Sequence, residues 1–152
     1  MAKTPALYIG HGAPLLLDDP IWSGELARWA NELEKPKGIL IITRGGLIPG
    51  GMLASLSHIK NIRVVVLESY EKMKRGALRL IHKPNIPNKG AGWLVIDDIV
   101  DTGATTKFVQ KLFPKAHYLS LVVKPQGEHL VHDYSYKVSQ DTWVVFPWEV
   151  AE

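Results

Sequence analysis

A chain of 152 residues has room for one domain with a sizeable core and too little for two. It holds no cysteine, which excludes disulfides and thiolate nucleophiles and leaves any catalysis to oxygen, nitrogen or a bound cation. Eighteen Lys and Arg against fifteen Asp and Glu give a formal charge of +3, an excess that suits an anionic ligand and is weak support for nucleic acid.

In chain order, 6–9 reads as a short strand and Gly10-His11-Gly12-Ala13-Pro14 as a turn. From about 22 to 33, Trp22, Leu26, Trp29, Ala30 and Leu33 recur at helical spacing, and Pro36 and Gly38 end that helix. Residues 39–42 form a continuous apolar, β-branched run, as in a strand covered on both faces. After Thr43-Arg44-Gly45-Gly46 a helix is expected to start near Pro49. Further strands are expected at 62–67, 93–96 and 118–123, with a helix over about 105–112. The alternation of strand, polar turn and helix predicts an α/β fold with an open, mostly parallel sheet. The tail differs: 133–137 and 143–146 read as two short strands of a small hood or edge extension beside the sheet.

Chemistry concentrates where the 93–96 strand runs into Asp97-Asp98-Ile99-Val100-Asp101-Thr102-Gly103-Ala104-Thr105-Thr106. Neighbouring side chains alternate in a strand, so one of Asp97 and Asp98 faces a ligand crevice while the other braces the turn. Residues 101–105 supply small-residue backbone donors, and the following helix adds its unpaired amides, together a phosphate cradle. Asp101 would repel a phosphate and suits instead a proton acceptor or a stabiliser of positive charge on carbon. The bland reading of the same acids is a helix cap and strand-end surface charge. Between 72 and 89 the chain carries Lys72, Lys74, Arg75, Arg79, Lys83 and Lys89 without an acid, a basic counterpart to the acidic strand end. Such a pairing suits a phosphate bound with a divalent cation.

These residues resemble the phosphoribosyl pyrophosphate signature of the type I phosphoribosyltransferases, and the remainder is most similar to the bacterial xanthine-guanine branch. The resemblance implies transfer of ribose 5-phosphate from phosphoribosyl pyrophosphate to N9 of guanine, xanthine or hypoxanthine, with Mg²⁺, releasing pyrophosphate. It places Asp97 and Asp98 at the ribose hydroxyls, Asp98 at the metal, and Asp101 near purine N7 as the catalytic carboxylate. It places the 5-phosphate on Thr102, Gly103, Ala104, Thr105 and Thr106. Thr43-Arg44-Gly45-Gly46 is similar to the pyrophosphate loop, where Arg44 offers a fork of donors and Gly45 and Gly46 let the backbone approach an anion. The segment from 71 to 92 is expected to be a flexible loop covering the reaction, with Arg75 nearest to the pyrophosphate-binding arginine although its spacing is one residue short.

A base pocket is expected in the 124–152 hood. Lys124 would read the 6-oxo group, Trp143 would stack on the purine, and Val144 would contact the base edge through its backbone. Glu149, at a position usually held by aspartate, would accept protons from the purine's N–H groups. The resemblance further implies a homo-oligomer, a tetramer or dimer.

The front does not fit. Residues 6–42, including the Gly10-His11-Gly12 turn, resemble the start of class III extradiol ring-opening dioxygenases, yet Thr43-Arg44-Gly45-Gly46 stands where the next ligand histidine belongs. Residues 1–36 are thus expected to be an atypical cap on a single 1–152 transferase domain. Two alternatives stand beside the transferase: a regulatory nucleotide- or RNA-binding protein on the same fold, and a metal-dependent dioxygenase. No apolar run approaches the roughly 20 residues that cross a bilayer, and the Met1-Ala2-Lys3 start lacks a secretory pattern. A cytoplasmic protein is expected, with peripheral membrane association left open.

Overall fold

The computed structural model describes residues 6–9, 14–16, 19–69, 77–146, 148 and 149, with side chains from residue 24 onward. The chain order is β1 (Ala6–Ile9), β2 (Pro14–Leu16), α1 (Asp19–Glu32), β3 (Gly38–Thr43), α2 (Leu47–Leu56), β4 (Ile62–Ser69), β5 (Leu78–His82), β6 (Trp93–Val100), α3 (Ala104–Leu112), β7 (His117–Val123), β8 (Asp133–Lys137) and β9 (Val144–Val145).

The main sheet has six strands in the order β5-β4-β3-β6-β7-β8. All neighbours are parallel except the β4–β5 pair, which is antiparallel. Alternation along the inner strands divides the core into two layers. Ile39 and Ile41 of β3 and Leu94 and Ile96 of β6 point to one face, where Leu26 and Trp29 of α1 and Leu53 and Ala54 of α2 cover them. Leu40, Ile42, Trp93 and Val95 point to the other, against Val109 of α3, Phe113 and Tyr118. Apolar residues on both faces of one strand are buried only when a layer lies on each side, which is why these runs are continuous rather than alternating. Helices therefore lie on both faces, as expected.

Several details differ from the sequence reading. Helix α1 starts at Asp19 rather than near 22. Helix α2 starts at Leu47, so Pro49 sits in its first turn, where a missing N–H costs no helical hydrogen bond. Residues 14–16, partly read as a turn, form β2 and pair with β1. The 71–92 segment expected as a flexible loop contains β5, whose Leu78 opposes Ser69 and whose Leu80 opposes Leu67. Leu80 and the buried Ile86 then pack on the second core layer, which holds this part of the segment against the sheet. Residues 70–76 lie outside the described residues.

The hood is not made by the C-terminus alone. Strand β8 joins the main sheet, pairing Leu119 with Asp133 and Val123 with Lys137. Strand β9 instead belongs to a second sheet, β2-β1-β9, in which Tyr8 opposes Val145 and Ile9 opposes Val144. The atypical front thus supplies the strands beside the expected base-binding segment. His11 lies outside the described residues.

Candidate active site

Because β3, β4, β6 and β7 run parallel, the turns after them all open at one edge of the sheet. Ligands in open α/β sheets bind outside this carboxyl edge. Strand β6 pairs with β3 only as far as Ile41 opposite Ile96, while its pairing with β7 continues to Val100 opposite Val123. The divergence opens the sheet at Asp97 and Asp98.

Both carboxylates are buried. Asp98 N–H donates to Asp97 Oδ1 at 2.9 Å, and Ile99 N–H donates to Asp98 Oδ1 at 2.7 Å. Burial, reinforced by the neighbouring Asp98 charge, pushes the Asp97 carboxyl well above the ordinary carboxylate range. Burial also raises Asp98, with Glu149 adding to the effect, although the hydrogen bonds from Asp97 and Ile99 oppose it.

The turn after β3 comes directly onto this pair. A Cβ at Gly45 would collide with the Asp98 carboxylate, so only glycine lets the Arg44 turn pack against the β6 acids. Gly46 N–H donates to Ile42 O at 2.8 Å and Leu47 N–H to Arg44 O at 3.0 Å, which closes the turn and leads into α2. The Thr43–Arg44 peptide is cis. The Arg44 side chain is exposed at the edge.

Beyond β6, residues 97–106 line a cavity of about 280 Å³. Gly103 has φ 88°, the left-handed conformation that favours glycine, and its α-carbon faces Leu130 so closely that a side chain would strike it. It caps α3 without any side-chain hydrogen bond. Ala104 N–H has a 3.4 Å contact to Thr102 Oγ1, and Lys107 N–H donates to Gly103 O at 2.9 Å. The amides of Ala104, Thr105 and Thr106 belong to the first turn of α3, where helical partners are absent. Thr106 is buried, Thr105 half-buried, and Thr102 and Ala104 exposed.

Asp101, one of the residues lining that cavity, is paired from outside it: Lys124 Nζ stands 3.0 Å from Asp101 Oδ2, the lysine side chain 8% and the aspartate 54% exposed. Lys124 N–H donates to Val100 O at 2.9 Å, which ties the ends of β6 and β7 together. Gln140 Nε2 donates to Asp101 Oδ1 at 2.7 Å. Sequence reasoning assigns no role to Gln140, because its partner is 39 residues away and no local spacing marks it. Trp143 is 73% exposed and follows the buried Thr142, whose hydroxyl is 2.6 Å from that of Ser139. Val144 is half-buried in β9. Glu149 Oε2 accepts from Phe146 N–H at 3.1 Å, folding the exposed carboxylate back on its own turn. Trp148 stacks on Phe146 with ring centroids 4.8 Å apart, a packing role.

The edge thus gathers the Arg44 turn, the 97–106 segment and the Lys124–Asp101 pair. Arg75 lies outside the described residues.

No protein-family model matches the chain. It is 41% identical over 114 residues to a xanthine-guanine phosphoribosyltransferase of Chromohalobacter salexigens, covering 75% of this chain and 69% of the relative. It is 43% identical over 114 residues to the protein of the same name in Desulfotalea psychrophila, covering 74% and 70%. The fold is similar to that of a purine phosphoribosyltransferase from Pyrococcus horikoshii, with a TM-score of 0.70 at 24% identity over 86% of this chain and 88% of that one. These relatives carry a transferase name, not that of a ring-opening dioxygenase or a nucleotide-binding regulator. The chain belongs to the xanthine-guanine phosphoribosyltransferase family.

Proposed function

We propose that this protein transfers the 5-phosphoribosyl group of phosphoribosyl pyrophosphate to N9 of guanine, xanthine or hypoxanthine. The observation that carries this reading is the Arg44 turn packed on Asp98, beside the 97–106 cavity and the Lys124–Asp101 pair. The 5-phosphate sits on Thr102, Gly103, Ala104, Thr105 and Thr106, where backbone donors and the α3 dipole favour an anion. Arg44, Gly45 and Gly46 take the pyrophosphate, with Arg75 as a further contact. Asp97 and Asp98 hold the ribose hydroxyls.

The purine stacks on Trp143, with its 6-oxo group on Lys124, its edge on the Val144 backbone and its N–H donors on Glu149. As the bond from C1 to pyrophosphate breaks and the bond to N9 forms, positive charge develops at C1. Asp101 orients the base and accepts or relays its proton.

Mg²⁺ suits the donor set. It binds through one or two carboxylates while keeping several waters, and Asp98 is a buried carboxylate with Asp97 beside it. Asp98 would hold the ion, which neutralises pyrophosphate oxygens when bound.

The protein acts as a homo-oligomer, a tetramer or dimer. Helix α2 has no charged residue, and Leu47, Ile48 and Leu56 are exposed on it, an apolar surface of the kind that partner chains cover. A chain without cysteine fits a reducing cytoplasm. Among the described residues no helix is long and apolar enough to cross a membrane.

The test is pyrophosphate release from phosphoribosyl pyrophosphate and Mg²⁺ with guanine, xanthine, hypoxanthine and adenine. Release with the 6-oxopurines in excess of adenine is expected. No release with any base refutes the reading, and nucleotide binding without release turns it into the regulatory one.

A further inference from the structure

The carboxylate of Asp101 has two donors of different kinds, Lys124 Nζ on Oδ2 at 3.0 Å and Gln140 Nε2 on Oδ1 at 2.7 Å. Gln140 is itself fixed, because the Gln126 backbone N–H donates to Gln140 Oε1 at 3.0 Å. A backbone N–H can only donate, so the oxygen of the Gln140 amide faces Gln126 and its NH₂ faces Asp101. The turn carrying Gln140 is ordered in the same way. Thr142 N–H donates to Ser139 O at 3.1 Å, and Ser139 Oγ donates to Asp141 Oδ1 at 2.7 Å.

We propose that Gln140 is a positioning residue that aims the Asp101 carboxylate at the purine, an inference that rests on the role given to Asp101 above. Lys124 cannot do this throughout the reaction, since the same ammonium is asked to meet the 6-oxo group. As the lysine turns to the base, Asp101 loses its charged donor and its side chain is exposed enough to swing into solvent. Gln140 competes with no substrate group and is held from behind by the 126 amide, so its NH₂ keeps one carboxylate oxygen in place while the other is free to meet the base. It also joins the turn before Trp143 to the loop that opens α3, so the stacking wall and the acid keep a common frame. Holding a reacting group in place in this way raises the rate of the chemical step rather than the affinity for substrates.

Gln140→Glu separates positioning from bracing. A glutamate of the same shape still accepts from the Gln126 N–H, so the turn keeps its anchor, but in place of a donor it sets a second carboxylate against Asp101, which repels it. Steady-state kinetics with guanine should show kcat reduced by roughly tenfold or more, the scale of a lost hydrogen bond to a charged group. KM for phosphoribosyl pyrophosphate should stay within about twofold on the same reasoning. Gln140→Ala, which removes donor and acceptor alike, serves if the glutamate variant does not fold, and thermal melting identifies that case. A parent kcat in both variants overturns the proposal, as does a raised KM for the purine with kcat intact. Asp101→Asn runs in parallel. Full activity in that variant overturns the reading of Asp101 itself, whereas its loss beside normal Gln140 variants overturns only the positioning role.

Discussion

Lys124 and Asp101 share one ion pair across a half-wet wall, and that pair has to open for a base to be read. The lysine can then give its charge to an exocyclic oxygen but gains nothing from an exocyclic amine, which already carries hydrogens. Lys124→Ala is therefore expected to raise KM for guanine and hypoxanthine by about tenfold while changing that for adenine less. Equal losses for all bases in initial-rate assays would remove its part in specificity. Asp97 leads to a prediction in pH. Its carboxyl is held above the ordinary range by burial, so the folded state favours the protonated form, and the stability this confers is present in acid and lost as pH rises. An asparagine in its place is neutral at every pH, and its side-chain oxygen still accepts from Asp98 N–H. Urea unfolding of Asp97→Asn should match the parent near pH 4 and exceed it increasingly toward neutral pH. A gap that does not grow with pH would count against a charge-based cause. At this scale the sequence marks Asp97, Asp98, Asp101 and Lys124, because acids and a lysine at the ends of apolar runs stand out. It does not mark Gln140, whose partner is chosen by the crossing of two loops and by no spacing along the chain.

Strands β3, β6 and β7 are legible because each is an unbroken apolar run, and only a doubly covered strand tolerates that. Strand β5 is hidden for the opposite reason. Leu78-Arg79-Leu80-Ile81-His82 sits in the basic stretch, and its antiparallel place at the sheet edge leaves much of it exposed, as the charge pattern of a loop would be. The start of α2 is masked because proline reads as punctuation, while in a first turn it is compatible with the helix. Helix α3 depends on the residue before it. Gly103 combines a left-handed backbone with close packing on Leu130, so Gly103→Ala meets strain and collision together. A loss on the order of 1–3 kcal/mol is expected in thermal or urea unfolding. The same variant should weaken protection of the protein by phosphoribosyl pyrophosphate in those melts, because the amides of the first α3 turn shift with it. A fully stable variant would mean that alanine takes this φ without strain and that Leu130 moves aside at no cost.

At the level of the whole molecule, α2 carries an apolar surface on both its buried and its outer sides. Pro49, Gly50, Leu53 and Ala54 face the core, and Leu47, Ile48 and Leu56 remain exposed. Ile48→Glu should lower the mass measured by light scattering toward that of a single chain, with the fold retained by circular dichroism. An unchanged mass would place the contact elsewhere. The layering of helices on both faces of a parallel sheet is readable in advance, since strand, turn and helix alternate through the middle of the chain. The hood is not, because pairing between the first strand and the last spans nearly the full sequence and leaves no local trace. That ladder sets an order of completion during synthesis. The last strand of the six-stranded sheet ends at Lys137, so every residue of the anion-holding edge precedes Val144 and Val145 in the chain. Ala6–Ile9 then waits without its far neighbour until those two residues are added, and a message cut short just before them would yield a protein able to grip the sugar donor, with Lys124 and Trp143 in place but no strand beside Ala6–Ile9 to set the purine's edge.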